Sequence, residues 1–290
     1  MLKLVVAYDG RRFAGSQRQA GTRTIQDELE TACGRLFGTE SPVRMAGRTD
    51  AGVHALGQVA AVLDPKPDRA EIATMAALNG ILPDDVSIRT VVAVGAAFDP
   101  RRDARWREYR YRICVGTASP LTAGLVLTHW SPLNVEAMRV AARRFEGEHD
   151  FASFAGMGAG TPWSAWRDKP RQTTRRILRC ECRAALDPLF GGGDRVVEVL
   201  VIGDAFLPRQ VRAMVGALIE VGRGRREAAW IDELLARGDR RGGPETVPGH
   251  GLVLWAVGYA PFGEGPPPSE AKKEADGSSH VYTEASGHQA

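Results

Sequence analysis

The strongest constraint on the fold of this chain is an alternation of segments with strand-like and helix-like hydrophobic patterns. In the first half, strands are predicted at 2–8, 43–45, 53–63, 86–94 and 104–115, and helices at 24–36 and 69–78. In the second half, helices are predicted at 134–146, 207–221 and 228–237, and strands at 174–186, 195–202 and 252–259. This order predicts an α+β fold with a mixed, mainly antiparallel central sheet flanked by helices, in two similar halves.

Local signals divide the chain further. Thr24 is a suitable N-cap for the first helix, and Asn79-Gly80 is expected to end the second. We expect an N-terminal half at 1–130 and a C-terminal half at 131–262. The Gly/Pro/Trp-rich stretch 155–172 predicts a long functional or mobile loop. Residues 263–290 lack apolar periodicity, so a disordered tail is predicted there.

The composition is that of a soluble globular protein large enough to bury a sizeable core. Of 290 residues, 43% are hydrophobic and 25% are charged. No apolar run approaches the roughly 20 residues of a membrane span, and the N-terminus lacks a signal peptide pattern. The four cysteines are scattered, with no zinc spacing and no disulfide framework. We therefore expect no metal and a cytoplasmic location.

The basic residues are almost all arginine. Only five of the 38 lysines and arginines are lysine, although the net charge is just +3. The planar guanidinium suits contacts with phosphates and stacked bases, which favours an acidic partner. A preference for GC-rich codons explains the same bias, and the composition leaves both explanations open.

Three side chains are candidates for chemistry. Asp50 lies in the stretch GRTDAGVH (47–54), where two glycines allow tight turns that present a carboxylate between two strands. Tyr109 lies on the Arg/aromatic face of an alternating strand. Arg212 lies at the edge of an apolar helix stripe. Pattern alone is also compatible with a turn-capping aspartate, and it favours a packed ring for Tyr109 and a surface arginine for Arg212.

Eight sequence blocks carry a resemblance to a known family. They are YDGRRFAGSQRQ (8–19), TIQDELE (24–30), AGRTDAGVHALGQVA (46–60), ALNGILPDDV (77–86), REYRYRI (107–113), FEGEHDFASF (145–154), FLPRQVRAMVGALIEVGRG (206–224) and PGHGLVLWAVGY (248–259). In this order and spacing the chain closely resembles the tRNA pseudouridine synthase A family. The resemblance extends from residue 2 to about residue 260, and GRTDAGVH is its most specific block.

The resemblance implies an activity and a set of roles. The reaction is isomerisation of uridine to pseudouridine at positions 38, 39 and 40 of the tRNA anticodon stem-loop, on a pseudouridine synthase fold. It requires no cofactor. Asp50 corresponds to the catalytic aspartate, Arg212 to the arginine that pairs with it, and Tyr109 to the tyrosine packed on the target base. Arg48 corresponds to an arginine that fills the space left by the flipped uridine.

The same resemblance implies how tRNA is bound. The arginines expected to contact phosphates are Arg11, Arg12, Arg18, Arg101, Arg102, Arg105 and Arg110. A homodimer with one tRNA spanning both subunits is implied.

Three segments depart from the family pattern: Ser16 replaces the usual Trp, FLPRQVR replaces FLxHMVR, and FDPRRDARWREYRY replaces an FHARFSA-like segment.

Two other classes of function remain as alternatives. A glycosidase or nucleoside hydrolase normally pairs two carboxylates, whereas the Asp50 loop supplies one. An RNA-binding protein without catalysis has no need of Asp50, Tyr109 and Arg212 together. Release of free uracil would indicate the first alternative, and tRNA binding without pseudouridine formation would indicate the second.

Overall fold

The centre of the protein is a ten-stranded sheet. The structure is a computed structural model, and it describes residues 1–63, 70–156, 173–185 and 196–263. Most of the loop predicted at 155–172 and nearly all of the tail predicted at 263–290 lie outside the described residues.

The strands and helices follow the predicted alternation. The strands are β1 (Leu2–Tyr8), β2 (Val43–Met45), β3 (His54–Val62), β4 (Val86–Ala93), β5 (Trp106–Val115), β6 (Leu127–His129), β7 (Gly147–Asp150), β8 (Thr174–Ala185), β9 (Val196–Gly203) and β10 (Leu252–Gly258). The helices are α1 (Ile25–Phe37), α2 (Glu71–Ile81), α3 (Val135–Arg143), α4 (Gln210–Gly222) and α5 (Trp230–Arg237).

The sheet joins strands from both halves of the chain. The strand order is β4-β1-β3-β10-β5-β9-β8-β7, with β2 beside β3 and β6 beside β5. The pairs β3–β10 and β5–β6 are parallel, and the others are antiparallel. The prediction of a mixed, mainly antiparallel sheet in an α+β fold is confirmed. Because β10 lies between β3 and β5, the C-terminal strand is inserted next to the strand that follows the Asp50 loop.

Helix ends explain why the predicted boundaries succeed at one helix and fail at another. At α1, the Thr24 hydroxyl accepts the Asp27 N–H, so the N-cap is as predicted, and Gly38 in the left-handed conformation ends the helix. At α2 the prediction was wrong, because the helix continues through Asn79 and Gly80 to Ile81. The Asn79 side chain instead bonds both backbone groups of Ile88 on β4, at 2.7 and 2.9 Å.

Other boundaries differ where short elements or turns intervene. Two short strands, β6 and β7, were not predicted, because their sequences LTH and GEHD contain only one apolar residue between them. Helix α4 begins at Gln210 rather than residue 207, since Arg209 has φ 61 and cannot belong to a right-handed helix.

One face of the sheet is covered by the helices. Alternate side chains of the strands, such as Leu4, Tyr111 and Val199, join residues of all five helices in one buried core. The core face carries Tyr109, which pairs with Leu254 on β10 and Val201 on β9. Tyr109 therefore lies on the helix-covered side of the sheet, near its centre. No helix in the described part of the chain is long and apolar enough to cross a membrane.

Two glycines within helices are predicted to respond in opposite ways to substitution by alanine. A Cβ at Gly216 would lie 2.0 Å from the Glu245 carbonyl oxygen, whereas a Cβ at Gly80 would meet no atom within 4 Å. Gly216→Ala should therefore destabilise the protein by about 1–3 kcal/mol through overpacking. Gly80→Ala should stabilise it by about 0.5–1 kcal/mol through improved helix propensity. Thermal unfolding of both variants tests this; equal shifts of Tm in the same direction would contradict it.

Candidate active site

The Asp50 side chain is presented by the connection between β2 and β3. These strands pair antiparallel, and the connection between them turns back at residues 50–53, where the Val53 N–H donates to the Asp50 carbonyl at 3.2 Å. Gly52 has φ 77, a conformation that a residue with a side chain rarely adopts. The local sequence thus produces the predicted tight turn, and the Asp50 carboxylate is about one-third exposed.

The start of this connection is attached to the sheet by a buried glutamine. The Gln58 side chain on β3 is fully buried. Its amide donates to the Gly47 carbonyl at 2.8 Å and its oxygen accepts the Gly47 N–H at 3.4 Å. Because both backbone groups of Gly47 are bonded to one side chain, the loop leaves the sheet in a defined direction.

The middle of the connection is fixed through Thr49. The Thr49 hydroxyl lies 2.8 Å from the Tyr8 hydroxyl on β1. Burial raises the pKa of Tyr8 to about 12, so this phenol remains neutral near pH 7. The Thr49 N–H donates to the Ser16 Oγ at 2.8 Å. All of these polar side chains are buried, and each has a hydrogen-bond partner, as a well-ordered polar network requires.

His54, at the end of the motif, anchors the other side of the loop. Its Nδ1 accepts the Gly10 N–H at 3.2 Å, so Nε2 carries the proton and faces the carbonyls of Gly124 and His250, each at 3.1 Å. Burial lowers the pKa of His54, which keeps the imidazole neutral at pH 7. These contacts indicate a structural role for His54.

Arg212 reaches Asp50 from the other half of the chain. The guanidinium NH1 donates to Asp50 Oδ2 at 2.9 Å, and Nε donates to the Val247 carbonyl at 2.7 Å. Only 14% of the Arg212 side chain is exposed. The second bond fixes the guanidinium plane, so the arginine holds the carboxylate in one orientation.

Tyr109 lies beside this ion pair on β5. Its ring packs edge-on against Phe206, with centroids 5.1 Å apart and planes at 87°. A Cβ added at Gly47 would be 3.9 Å from the Tyr109 hydroxyl, so the ring adjoins the Asp50 loop. Burial raises the pKa of Tyr109, with smaller contributions from Tyr8 and Asp50. The structure therefore brings Asp50, Arg212 and a neutral Tyr109 into one site.

Arg107 is a site residue that pattern analysis of the sequence did not identify. It is buried, and its guanidinium donates to four backbone carbonyls, those of Ala104, Asp204, Ala46 and Arg101, at 2.6–3.2 Å. It connects the start of the Asp50 loop to two neighbouring loops. The sequence feature that could have identified Arg107 is its position two residues before Tyr109, on the same face of the predicted strand.

The arginines predicted to contact phosphates differ in their surroundings. Arg12, Arg48, Arg101, Arg102 and Arg105 are exposed. Arg11 and Arg18 are also exposed, but each forms ion pairs, Arg11 with Asp9 and Arg18 with Asp27 and Glu30.

Arg110 has a more enclosed environment than the other predicted phosphate contacts. It stacks 3.8 Å over the Trp255 ring, and its Nε donates to Glu108 at 2.7 Å. Only 18% of its side chain is exposed. Arg110 lies on the strand face opposite Tyr109, and the structure does not bring it together with Asp50.

Comparison with known proteins identifies the family. A family model described as tRNA pseudouridine synthase matches residues 4–101 and 141–260. A tRNA pseudouridine synthase A of Myxococcus xanthus is 40% identical, covering 92% of this chain and 93% of its own. One of Streptomyces griseus is 41% identical, covering 89% and 87%, and one of an Exiguobacterium species is 38% identical, covering 89% and 97%.

The chain belongs to the tRNA pseudouridine synthase family. It is therefore an enzyme of the isomerase class, as the ordered motifs predicted. The matched segments contain Asp50 and Arg212, whereas Tyr109 lies between them. Among solved structures, that of an unknown protein from Galdieria sulphuraria covers 77% of this chain and 94% of its own at 16% identity, with a TM-score of 0.19. That score is too low to support any conclusion.

Proposed function

We propose that this enzyme isomerises uridine to pseudouridine at positions 38, 39 and 40 of the tRNA anticodon stem-loop, with the Asp50 carboxylate as the reacting group. The observation that carries the proposal is the 2.9 Å bond between Arg212 and Asp50, on a loop held by buried polar contacts. A carboxylate that is paired with an arginine, held in one orientation and one-third exposed is suited to attack or to accept a proton.

The reaction conserves all atoms of the substrate. The bond between N1 and C1′ breaks, the uracil rotates, and a bond between C5 and C1′ forms; C5 loses a proton and N1 ends protonated. Asp50 acts in its ionised form by attack on C1′, by attack on C6, or by removal of the 2′ proton. The contacts of Asp50 are compatible with each of these three routes, because each requires the same charge and the same exposure.

Tyr109 and Arg48 are proposed to accommodate the target nucleotide. A uridine within a helical stem must leave the stack before its C1′ and C6 are reached, at a cost of a few kcal/mol. The buried Tyr109 ring adjoins the Asp50 loop and offers a packing surface for the base. Arg48 is exposed two residues before Asp50, where its side chain is available to occupy the vacated space.

Exposed arginines are proposed to bind the tRNA backbone. Arg101, Arg102 and Arg105 follow one another in the loop before β5, and the Arg107 guanidinium holds the Arg101 carbonyl at 2.7 Å. This bond links the basic loop to the Asp50 loop through one buried residue. Arg11, Arg12 and Arg18, exposed on the N-terminal loop, are proposed as further contacts with the tRNA backbone, while Arg110 is left out because it is enclosed by Trp255 and Glu108.

Two further features of the proposal concern assembly and location. The family resemblance supports a homodimer with one tRNA spanning both subunits, and sedimentation equilibrium would measure the subunit count. The four cysteines Cys33, Cys114, Cys180 and Cys182 are free and buried. Unpaired thiols support a reducing compartment such as the cytoplasm.

Mapping of pseudouridine tests the proposed positions. We expect wild-type protein to create carbodiimide-dependent primer-extension stops at positions 38, 39 and 40 of an unmodified tRNA transcript with uridine at all three. Replacing each uridine by cytidine should remove only the corresponding stop. Stops elsewhere with none in the anticodon stem-loop would contradict the proposed specificity, and release of free uracil would indicate hydrolysis instead.

A further inference from the structure

Ser16 makes two contacts with the residue that precedes Asp50. It lies in the loop before α1 and is fully buried. Its backbone N–H donates to the Thr49 carbonyl at 3.0 Å, and its Oγ accepts the Thr49 N–H at 2.8 Å. Both backbone polar groups of Thr49 are thus bonded to one residue 33 positions away.

These two bonds determine the backbone geometry at Asp50. The Thr49 N–H belongs to the peptide plane between residues 48 and 49, and the Thr49 carbonyl belongs to the plane between residues 49 and 50. With both planes held, the φ and ψ of Thr49 are fixed, and so are the backbone nitrogen and Cα of Asp50. The φ of Asp50 and its side-chain torsions remain; the Asp50 carbonyl accepts the Val53 N–H at 3.2 Å, and Arg212 restrains the side chain through Oδ2.

Ser16 is itself rigidly attached. Its carbonyl accepts the Gln26 N–H in the first turn of α1 at 3.0 Å. The preceding Gly15 has φ 117, and a Cβ there would lie 2.9 Å from the Thr49 carbonyl oxygen. The close approach of the two loops therefore depends on a glycine followed by a small side chain with an acceptor oxygen. The Trp usual at this position in the family cannot replace the Oγ contact, because an indole nitrogen only donates.

We propose that Ser16 is a positioning residue that holds the Asp50 backbone in its reactive location through the Oγ contact with Thr49. This inference rests on the proposed catalytic role of Asp50. Removal of the hydroxyl in Ser16→Ala leaves the buried Thr49 N–H without its acceptor. The Asp50 loop then adopts other conformations, and misplacement of a reacting group by about 1 Å costs up to roughly a hundredfold in rate.

Single-turnover kinetics of the full-length enzyme with tRNA transcript provide the test. Ser16→Ala should lower the rate constant for pseudouridine formation about ten- to a hundredfold, while the Kd for tRNA changes less than twofold. Ser41→Ala is the matched control, since Ser41 is also buried and its hydroxyl donates to the Thr39 carbonyl at 3.2 Å, away from the Asp50 loop. We expect it to retain the wild-type rate.

Amide hydrogen exchange of the wild-type protein gives a measurement that does not depend on a folded variant. The Thr49 amide should be among the slowly exchanging amides, and it should exchange faster in Ser16→Ala while the α1 amides do not. Rapid exchange of Thr49 in wild-type protein overturns the inference. So does an unchanged rate in Ser16→Ala, or an equal loss of rate and tRNA affinity.

The same assay separates this inference from the proposed function. If wild-type protein forms no pseudouridine, or if Asp50→Asn keeps the wild-type rate, the proposed function fails and the inference about Ser16 fails with it. If wild-type protein is active, Asp50→Asn is inactive and Ser16→Ala is as fast as wild type, only the inference about Ser16 is overturned.

Discussion

Asp50→Asn is expected to abolish pseudouridine formation while leaving the fold and tRNA binding intact. Asparagine has nearly the same shape and keeps an oxygen that accepts the Arg212 N–H, but it is a poor base and a poor nucleophile. Loss of a general base costs roughly 10²- to 10⁴-fold, and loss of a nucleophile costs more. The measurement is the single-turnover rate on an unmodified tRNA transcript.

Stability and binding should respond differently to this substitution. The Asp50 carboxylate is about one-third exposed, so its ion pair contributes only about 1 kcal/mol or less and Tm should change little. The Kd for tRNA should be unchanged or lower, because a negative charge is removed from a surface that binds a polyanion. Asp84→Asn, at an exposed turn before β4, is the matched control and should retain full activity. An active Asp50→Asn variant would exclude the proposed role.

Arg212→Ala is expected to produce the second largest loss. It removes the bond to Asp50 Oδ2 and the bond to the Val247 carbonyl together. A hydrogen bond to a charged group contributes about 1.5–3 kcal/mol, so the rate should fall roughly 10- to 200-fold. Arg212→Lys keeps the charge but has one nitrogen in place of the two that donate here, so it should also be slower than wild type.

The control for Arg212 lies on the same helix. Arg223 caps the C-terminal end of α4 and is paired with Glu220 at 3.3 Å. Arg223→Ala should retain the wild-type rate and lose at most about 1 kcal/mol of stability. If Arg212→Lys is as fast as wild type, the charge alone is sufficient and the bond to Val247 has no catalytic role. If Arg223→Ala is as slow as Arg212→Ala, the effect belongs to the helix rather than to the contact with Asp50.

The parts of the fold that were predictable from sequence are local. In the described part of the chain, the pattern of apolar residues located all five helices and eight of the ten strands, because a helix repeats every 3.6 residues and a strand every 2 within its own segment. Thr24 as N-cap was identified for the same reason, since a cap and its first turn are adjacent in sequence. The continuation of α2 through Gly80 was missed because the partner of Asn79 is Ile88 on another element.

The candidate site was only partly predictable. Resemblance named Asp50, Tyr109 and Arg212, whereas periodicity left each with an ordinary structural alternative. The contacts of Arg107 and Ser16 with the loops of the site were not predicted, because the partners of both residues are backbone groups, which have no sequence signature. The carbonyls that Arg107 binds belong to three separate loops.

The sequence by itself determined the order of the five helices and the eight longer or more apolar strands among the described residues, the turn that presents Asp50 and the membership of the family. Tertiary structure alone decided that β10 inserts beside β3 and that Arg212 meets Asp50 across 162 residues. The physical reason is that hydrophobic period and turn propensity are properties of neighbouring residues. A contact between distant segments depends instead on how the whole core packs, and no short stretch of sequence contains that information.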